Sequence, residues 1–208
     1  LVVLKELNND FHRDARVRDT DRSLFFSGLM IALNNNNFKN TYKSFQAPTK
    51  EDVSTTKVTV LEAHYLNSAI IDAISSQLES KINSLSKEFS WKDKFSFIRN
   101  IDYSLHEYKE IINKIETKVF NPFKNDEKQD ILGKAYKVFL SRAGKAENKN
   151  IILTPDHIKV LMVKLANLSK DDVVLDTCTG SGGFLMASME TMIQLSNGDA
   201  EKIRAIKE

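Results

Sequence analysis

The residues best suited to chemistry are the run Asp172-Val173-Val174-Leu175-Asp176-Thr177-Cys178-Thr179-Gly180-Ser181-Gly182-Gly183-Phe184. Asp172 to Asp176 is a short β-branched stretch, which predicts a buried strand. Phe184 to Leu195 then has helical character. Strand, acidic residue, glycine-rich turn and helix in that order predict the first β-α unit of a nucleotide-binding sheet. Glycines allow a backbone to come within contact distance of a ligand, and ligands of such sheets sit at the carboxyl ends of the strands. Two phosphate-binding patterns fail on named residues. The dinucleotide fingerprint Gly-x-Gly-x-x-Gly is met at Gly180 and Gly182 but not at Leu185. A phosphate loop ends in Gly-Lys-Ser/Thr, and no lysine is present here.

Upstream stands Leu153-Thr154-Pro155. Pro155 is placed at a first helical turn, where its missing N–H costs nothing. Each of these residues also has a plainer structural role open to it. Asp176 could cap the following helix, Thr154 could be an ordinary N-cap, and Phe184 could pack under the turn. Cys178 reads as a small packed thiol, because no histidine is placed to activate it. His12, His64, His106 and His157 lack ligand spacing, and a single cysteine makes neither a zinc site nor an internal disulfide. No metal ligand is assigned. Asn121-Pro122-Phe123 reads as a helix terminator.

The segment Asp176 to Leu185 resembles the first methyltransferase motif of adenine-N6 DNA methylases. It is most similar to the modification subunits of type I restriction systems and related fused restriction-methylation enzymes. Leu153-Thr154-Pro155 resembles the motif that usually precedes it, and Leu132 to Leu140 resembles the family's lead-in helix. Two motifs in the right order, about 20 residues apart, are far more specific than either alone. Two departures stand out: Thr177 and Thr179 replace a more common Asp-Pro-Ala-Cys-Gly pattern, and Leu153 replaces tyrosine.

The resemblance implies an α/β, Rossmann-like methyltransferase domain that uses S-adenosylmethionine. It implies cofactor contacts from Thr154, Pro155, Asp176, Thr177, Gly180, Ser181, Gly182, Gly183 and Phe184. The implied reaction is methyl transfer to adenine N6 in duplex DNA, on a base flipped out of the helix. The implied partners are duplex DNA, a specificity subunit or domain, and a restriction subunit or domain. The amine-positioning Asn/Asp-Pro-Pro-Tyr/Phe segment does not occur in residues 1–208. No catalytic residue is therefore assigned, the domain is expected to be truncated after its first β-α unit, and the 208-residue chain alone is expected to be inactive. Two competing readings are a methyltransferase of another substrate class and a non-enzymatic helical interaction module.

The elements that must position these residues are mostly helical. Only three prolines and seven glycines occur in 208 residues, which favours long helices over a turn-rich β-protein. Leu24 to Leu33 is apolar almost all round and predicts a buried helix, ended by Asn34-Asn35-Asn36-Asn37. Residues 40–57 read as a polar connection. Apolar residues at helical spacing run from Val58 to Phe89 and from residue 93 to 120. A further helix is expected from Asp130, with Ala135 and Phe139 inward. Another should run to about Ala166, with Ile158, Leu161, Met162 and Leu165 inward. The expected organisation is a helical N-terminal domain over 1–125 and the opening of the methyltransferase domain over 126–208.

Charge separates the two parts weakly. Residues 1–145 hold 23 Lys/Arg and 19 Asp/Glu, a net of +4, and residues 146–208 hold 7 and 9, a net of −2. That asymmetry alone does not make a nucleic-acid binder. Arg13, Arg16 and Arg18 are placed to touch phosphates, but three interleaved aspartates favour local ion pairs. No apolar run reaches the roughly 18–20 residues of a bilayer span, so no membrane partner is expected. A lone cysteine fits a reducing cytoplasm.

Overall fold

The computed structural model describes residues 2–13, 17–45, 56–79, 90–125, 134–135, 138–139 and 154–207. The chain divides into two compact units. One is Leu1–Glu127 with Val138–Gly144, the other Lys128–Lys137 with Lys145–Glu208.

The first unit is helical. Its elements are α1 (Val2–Arg13), α2 (Arg22–Ala32), α3 (Asn36–Ser44), α4 (Thr56–Glu79), α5 (Trp91–Lys94), a 3-10 turn (Ser96–Asn100), α6 (Leu105–Ile115), a π-helical turn (Glu116–Phe120) and α7 (Asn121–Asn125). The apolar α2 is the hub, burying Phe25, Phe26, Leu29 and Met30. Gly28 lets α4 approach closely, since a Cβ there would stand 2.9 Å from both Ile74 Cδ1 and Phe95 Cε1. Phe11 meets Phe25 and Phe139 at ring separations of 5.3 and 5.7 Å, and Phe26 meets Phe139 at 5.5 Å. Their tilted, edge-on geometry suits the ring quadrupoles.

Buried polar groups in this unit are partnered. Arg22 donates to the carbonyl of Val17 and to Asn8 Oδ1, and pairs with Asp19. Tyr108 donates to Asn67 Oδ1 at 2.6 Å while Asn67 donates to the carbonyl of Ile101 at 2.9 Å. Such satisfied groups fix the packing of α1 on α2 and of α4 on α6. Of the arginines expected near phosphates, Arg18 pairs with Asp21 at 3.3 Å. The side chains of Arg13 and Arg16 lie outside the described residues.

Several boundaries differ from expectation. Asn34–Asn37 does not simply stop the chain in a loop. Asn35 caps a new helix by accepting from the Phe38 N–H at 3.2 Å, so residues 36–44 are helical. The periodic stretch 93–120 is broken at 101–104, where Ser104 and Glu107 form a reciprocal capping box that starts α6. The described part of 58–89 is one helix, and 80–89 lies outside the described residues, as does most of the helix expected from Asp130.

The second unit contains α8 (Asp156–Ala166), α9 (Gly183–Leu195) and α10 (Ala200–Lys207). The α/β, Rossmann-like reading is overturned here: among the described residues there is no strand. Asp172–Asp176 is extended but unpaired, with Val173 97% and Leu175 83% exposed. The reason is physical. A β-branched run supplies only a preference for extended backbone, whereas a strand exists through ladder bonds to a neighbour. Local turns also consume its ends. Asp172 Oδ2 accepts from the Ser169 N–H at 2.7 Å, and Asp176 Oδ1 accepts from the Cys178 N–H at 3.0 Å. The inward face expected for α8 is likewise not formed. Leu161, Met162 and Leu165 are exposed, and Val163 is the residue of α8 that is buried.

No helix among the described residues is long and apolar enough to cross a membrane.

Candidate functional site

The site lies within the second unit. Helix α8 ends at Asn167, whose left-handed conformation (φ 51°) turns the chain. The chain passes through 173–175 and folds at Asp176. There the short carboxylate bonds its own backbone two residues on, a turn that aspartate makes readily. One oxygen is thereby used. The other, Oδ2, is buried and has no hydrogen-bond partner. A buried acceptor left unpaired costs roughly 1–3 kcal/mol, so this oxygen marks a place where a donor from a ligand would be bound favourably.

Beyond Cys178 a second turn closes with the Gly182 N–H donating to the Thr179 carbonyl at 2.7 Å. Gly180 and Gly182 have φ of +52° and +79°, which a residue with a Cβ adopts only under strain. No atom crowds them, because a Cβ on Gly182 would meet nothing within 4 Å. Their requirement is conformational. Gly183 differs: a Cβ there would stand 2.9 Å from Lys159 Cδ and 3.0 Å from Lys159 Nζ. Its requirement is space.

Gly182 is the N-cap of α9 and offers no capping side chain. The first-turn N–H groups of α9 therefore present the positive end of a 13-residue helix at the turn. Ser181, Gly182, Gly183 and Phe184 are half-buried, and Thr177 is exposed. Thr154 and Pro155 are exposed at the start of α8, where Pro155, not Thr154, occupies the N-cap. Cys178 is exposed and free. The structure thus gathers Asp176 to Phe184 into one turn-and-helix entry, and α8 packs against α9 beside it.

Lys159 is the side chain that joins the two helices, and the sequence reading passed over it. It pairs with Asp156 at 2.7 Å and is only 12% exposed. A signal existed: Lys159 stands one helical turn before Val163, the buried residue of α8, and so shares its inward face.

A buried charged cluster in the first unit is structural. Glu116 accepts from Tyr42 and from Lys43. Burial and then the Glu116 carboxylate push the Tyr42 hydroxyl above its usual range. Burial drives the Glu116 carboxyl up, but the bonds from Tyr42 and Lys43 outweigh it and hold the group below its ordinary value. Among the described residues no group of three or more His, Cys, Asp or Glu could hold a metal ion.

Residues 127–205 match the family model described as N-6 DNA Methylase. The chain is similar to the type II restriction enzyme and methyltransferase RM.BcgI of Heyndrickxia coagulans, at 33% identity over 125 residues. That alignment covers 56% of this chain and 20% of the relative, so the chain spans about a fifth of its length. No solved structure matches.

Proposed function

We propose, from the premise that residues 127–205 are a segment of the N-6 DNA methylase family, that the protein to which they belong methylates adenine N6 in duplex DNA. It does so in the cytoplasm, within a restriction-modification system. S-adenosylmethionine supplies a sulfonium-bound methyl group, which passes to N6 as that amine loses a proton. The residues of this chain hold the donor, and holding it in line accounts for most of what they contribute to the rate.

The observation that carries this reading is the unpaired, buried Asp176 Oδ2 at the mouth of a glycine turn. A carboxylate oxygen accepts only, and the α-ammonium of the cofactor donates. Gly180 and Gly182 turn the backbone so that the entry to α9 stays open. Thr177, Ser181, Gly183 and Phe184 line that entry, and Thr154 and Pro155 bound it from the start of α8. The matched relative bears a name joining restriction enzyme and methyltransferase. That supports partners of the same kind: duplex DNA, a specificity subunit or domain, and a restriction subunit or domain.

Calorimetry of S-adenosylhomocysteine binding to the intact protein tests the reading. Asp176→Ala removes a charge-assisted bond and should weaken binding roughly 10- to 100-fold. Unchanged binding by a folded variant would move the ammonium contact to another residue.

A further inference from the structure

We propose that Lys159 is a positioning residue that takes the α-carboxylate of the cofactor's methionine end, while Asp176 takes the α-ammonium. This rests on the reading just given and assigns a residue to the anionic half of the zwitterion.

Three features lead to Lys159. First, its location is unusual for a lysine. Such side chains normally carry their ammonium out to water, yet this one is 12% exposed and lies across Gly183. Gly183 makes room for it, since any Cβ would collide with the end of the lysine. Second, the ammonium sits beside the N-terminal end of α9, where the helix field is already positive and a cation is disfavoured. A negative group has to share that place. Asp156 supplies one at 2.7 Å, but its own side chain is 84% exposed. It holds the ammonium from the solvent side and can yield to a second carboxylate. Third, the same turn carries the buried acceptor on Asp176 with no donor. A simple anion would satisfy Lys159 and leave Asp176 unpaired. A cation would do the reverse. An amino-acid end, with one group of each sign, satisfies both.

The experiment measures binding of two ligands to the intact protein. S-adenosylhomocysteine carries the amino-acid end, and 5′-methylthioadenosine keeps the nucleoside and sulfur but lacks it. Lys159→Met retains the packed stem and removes the charge. It should weaken S-adenosylhomocysteine binding about 10-fold or more, with 5′-methylthioadenosine unchanged. Lys159→Arg should restore most of the difference. Equal binding of S-adenosylhomocysteine by wild type and Lys159→Met overturns the proposal, as does an equal loss for both ligands, which would mark a role in folding alone. If Lys159→Met does not fold, Asp156→Asn carries the test. With the competing carboxylate gone, preference for S-adenosylhomocysteine over 5′-methylthioadenosine should hold or rise, and a fall overturns the proposal. Failure of the wild-type protein to bind either ligand would instead sink the methyltransferase reading itself.

Discussion

The two units of this chain use similar sequence patterns to different effect. In the first, apolar residues at helical spacing become a core: Leu7, Phe11, Phe25, Phe26, Leu66, Ile70 and Ile74 are fully buried or nearly so. In the second, an equally apolar α8 leaves Leu161, Met162 and Leu165 exposed, the last at 76%. Periodicity states which face of a helix is apolar. Burial requires another element to lie on that face, and α2 has α4 and α6 where α8 has α9 alone.

The sharpest way to break this contrast is a pair of truncations in the 208-residue chain, followed by chemical denaturation. Phe25→Ala empties a packed site and should cost about 3–5 kcal/mol. Leu165→Ala removes an exposed side chain and should stay within about 0.5 kcal/mol. Comparable losses at both positions would show that α8 is covered after all.

A smaller effect is expected at the charged cluster of the first unit. Glu116→Gln keeps the shape but loses the charge that Tyr42 and Lys43 satisfy, and should cost roughly 1–3 kcal/mol at neutral pH. The sign with pH is definite. The folded-state value of Glu116 is lowered, so its stabilisation is complete above the ordinary carboxylate range and is lost as pH falls through the lowered folded value. Denaturation midpoints taken downward from pH 6 should therefore fall more steeply for the wild type than for Glu116→Gln. Parallel profiles would remove Glu116 as a source of acid sensitivity.

The smallest effect concerns the break at 101–104. Ser104→Ala deletes the capping box of α6 and should cost about 1 kcal/mol. Circular dichroism on melting reads this directly. No change would mean that packing of Tyr108 and Ile112 sets the helix start without the cap.

That break illustrates how far the sequence could be read. Ser104-x-x-Glu107 is a capping signature visible in the letters, yet a run of well-spaced isoleucines across 98–115 obscured it. The Asn34–Asn37 run shows the same limit. Asparagine both ends and begins helices, and only the bond from the Phe38 N–H to Asn35 decides that it begins one here. In the candidate site, the glycine turn and its acidic residue were legible because positive φ at 180 and 182 demands glycine. Lys159 was not, because a lysine near a helix start is ordinary until its ammonium is seen against Gly183.

The sequence by itself determined the helical character of the first unit, the apolar nature of α2, and the glycine turn after Asp176. Each depends on short-range rules: periodicity, propensity and backbone sterics. Only tertiary structure decided whether Asp172–Asp176 would be a strand, which side chains of α8 would be covered, and that Lys159 meets Gly183. Those outcomes depend on which distant segment supplies the hydrogen bonds or the covering surface, and no local residue type encodes that.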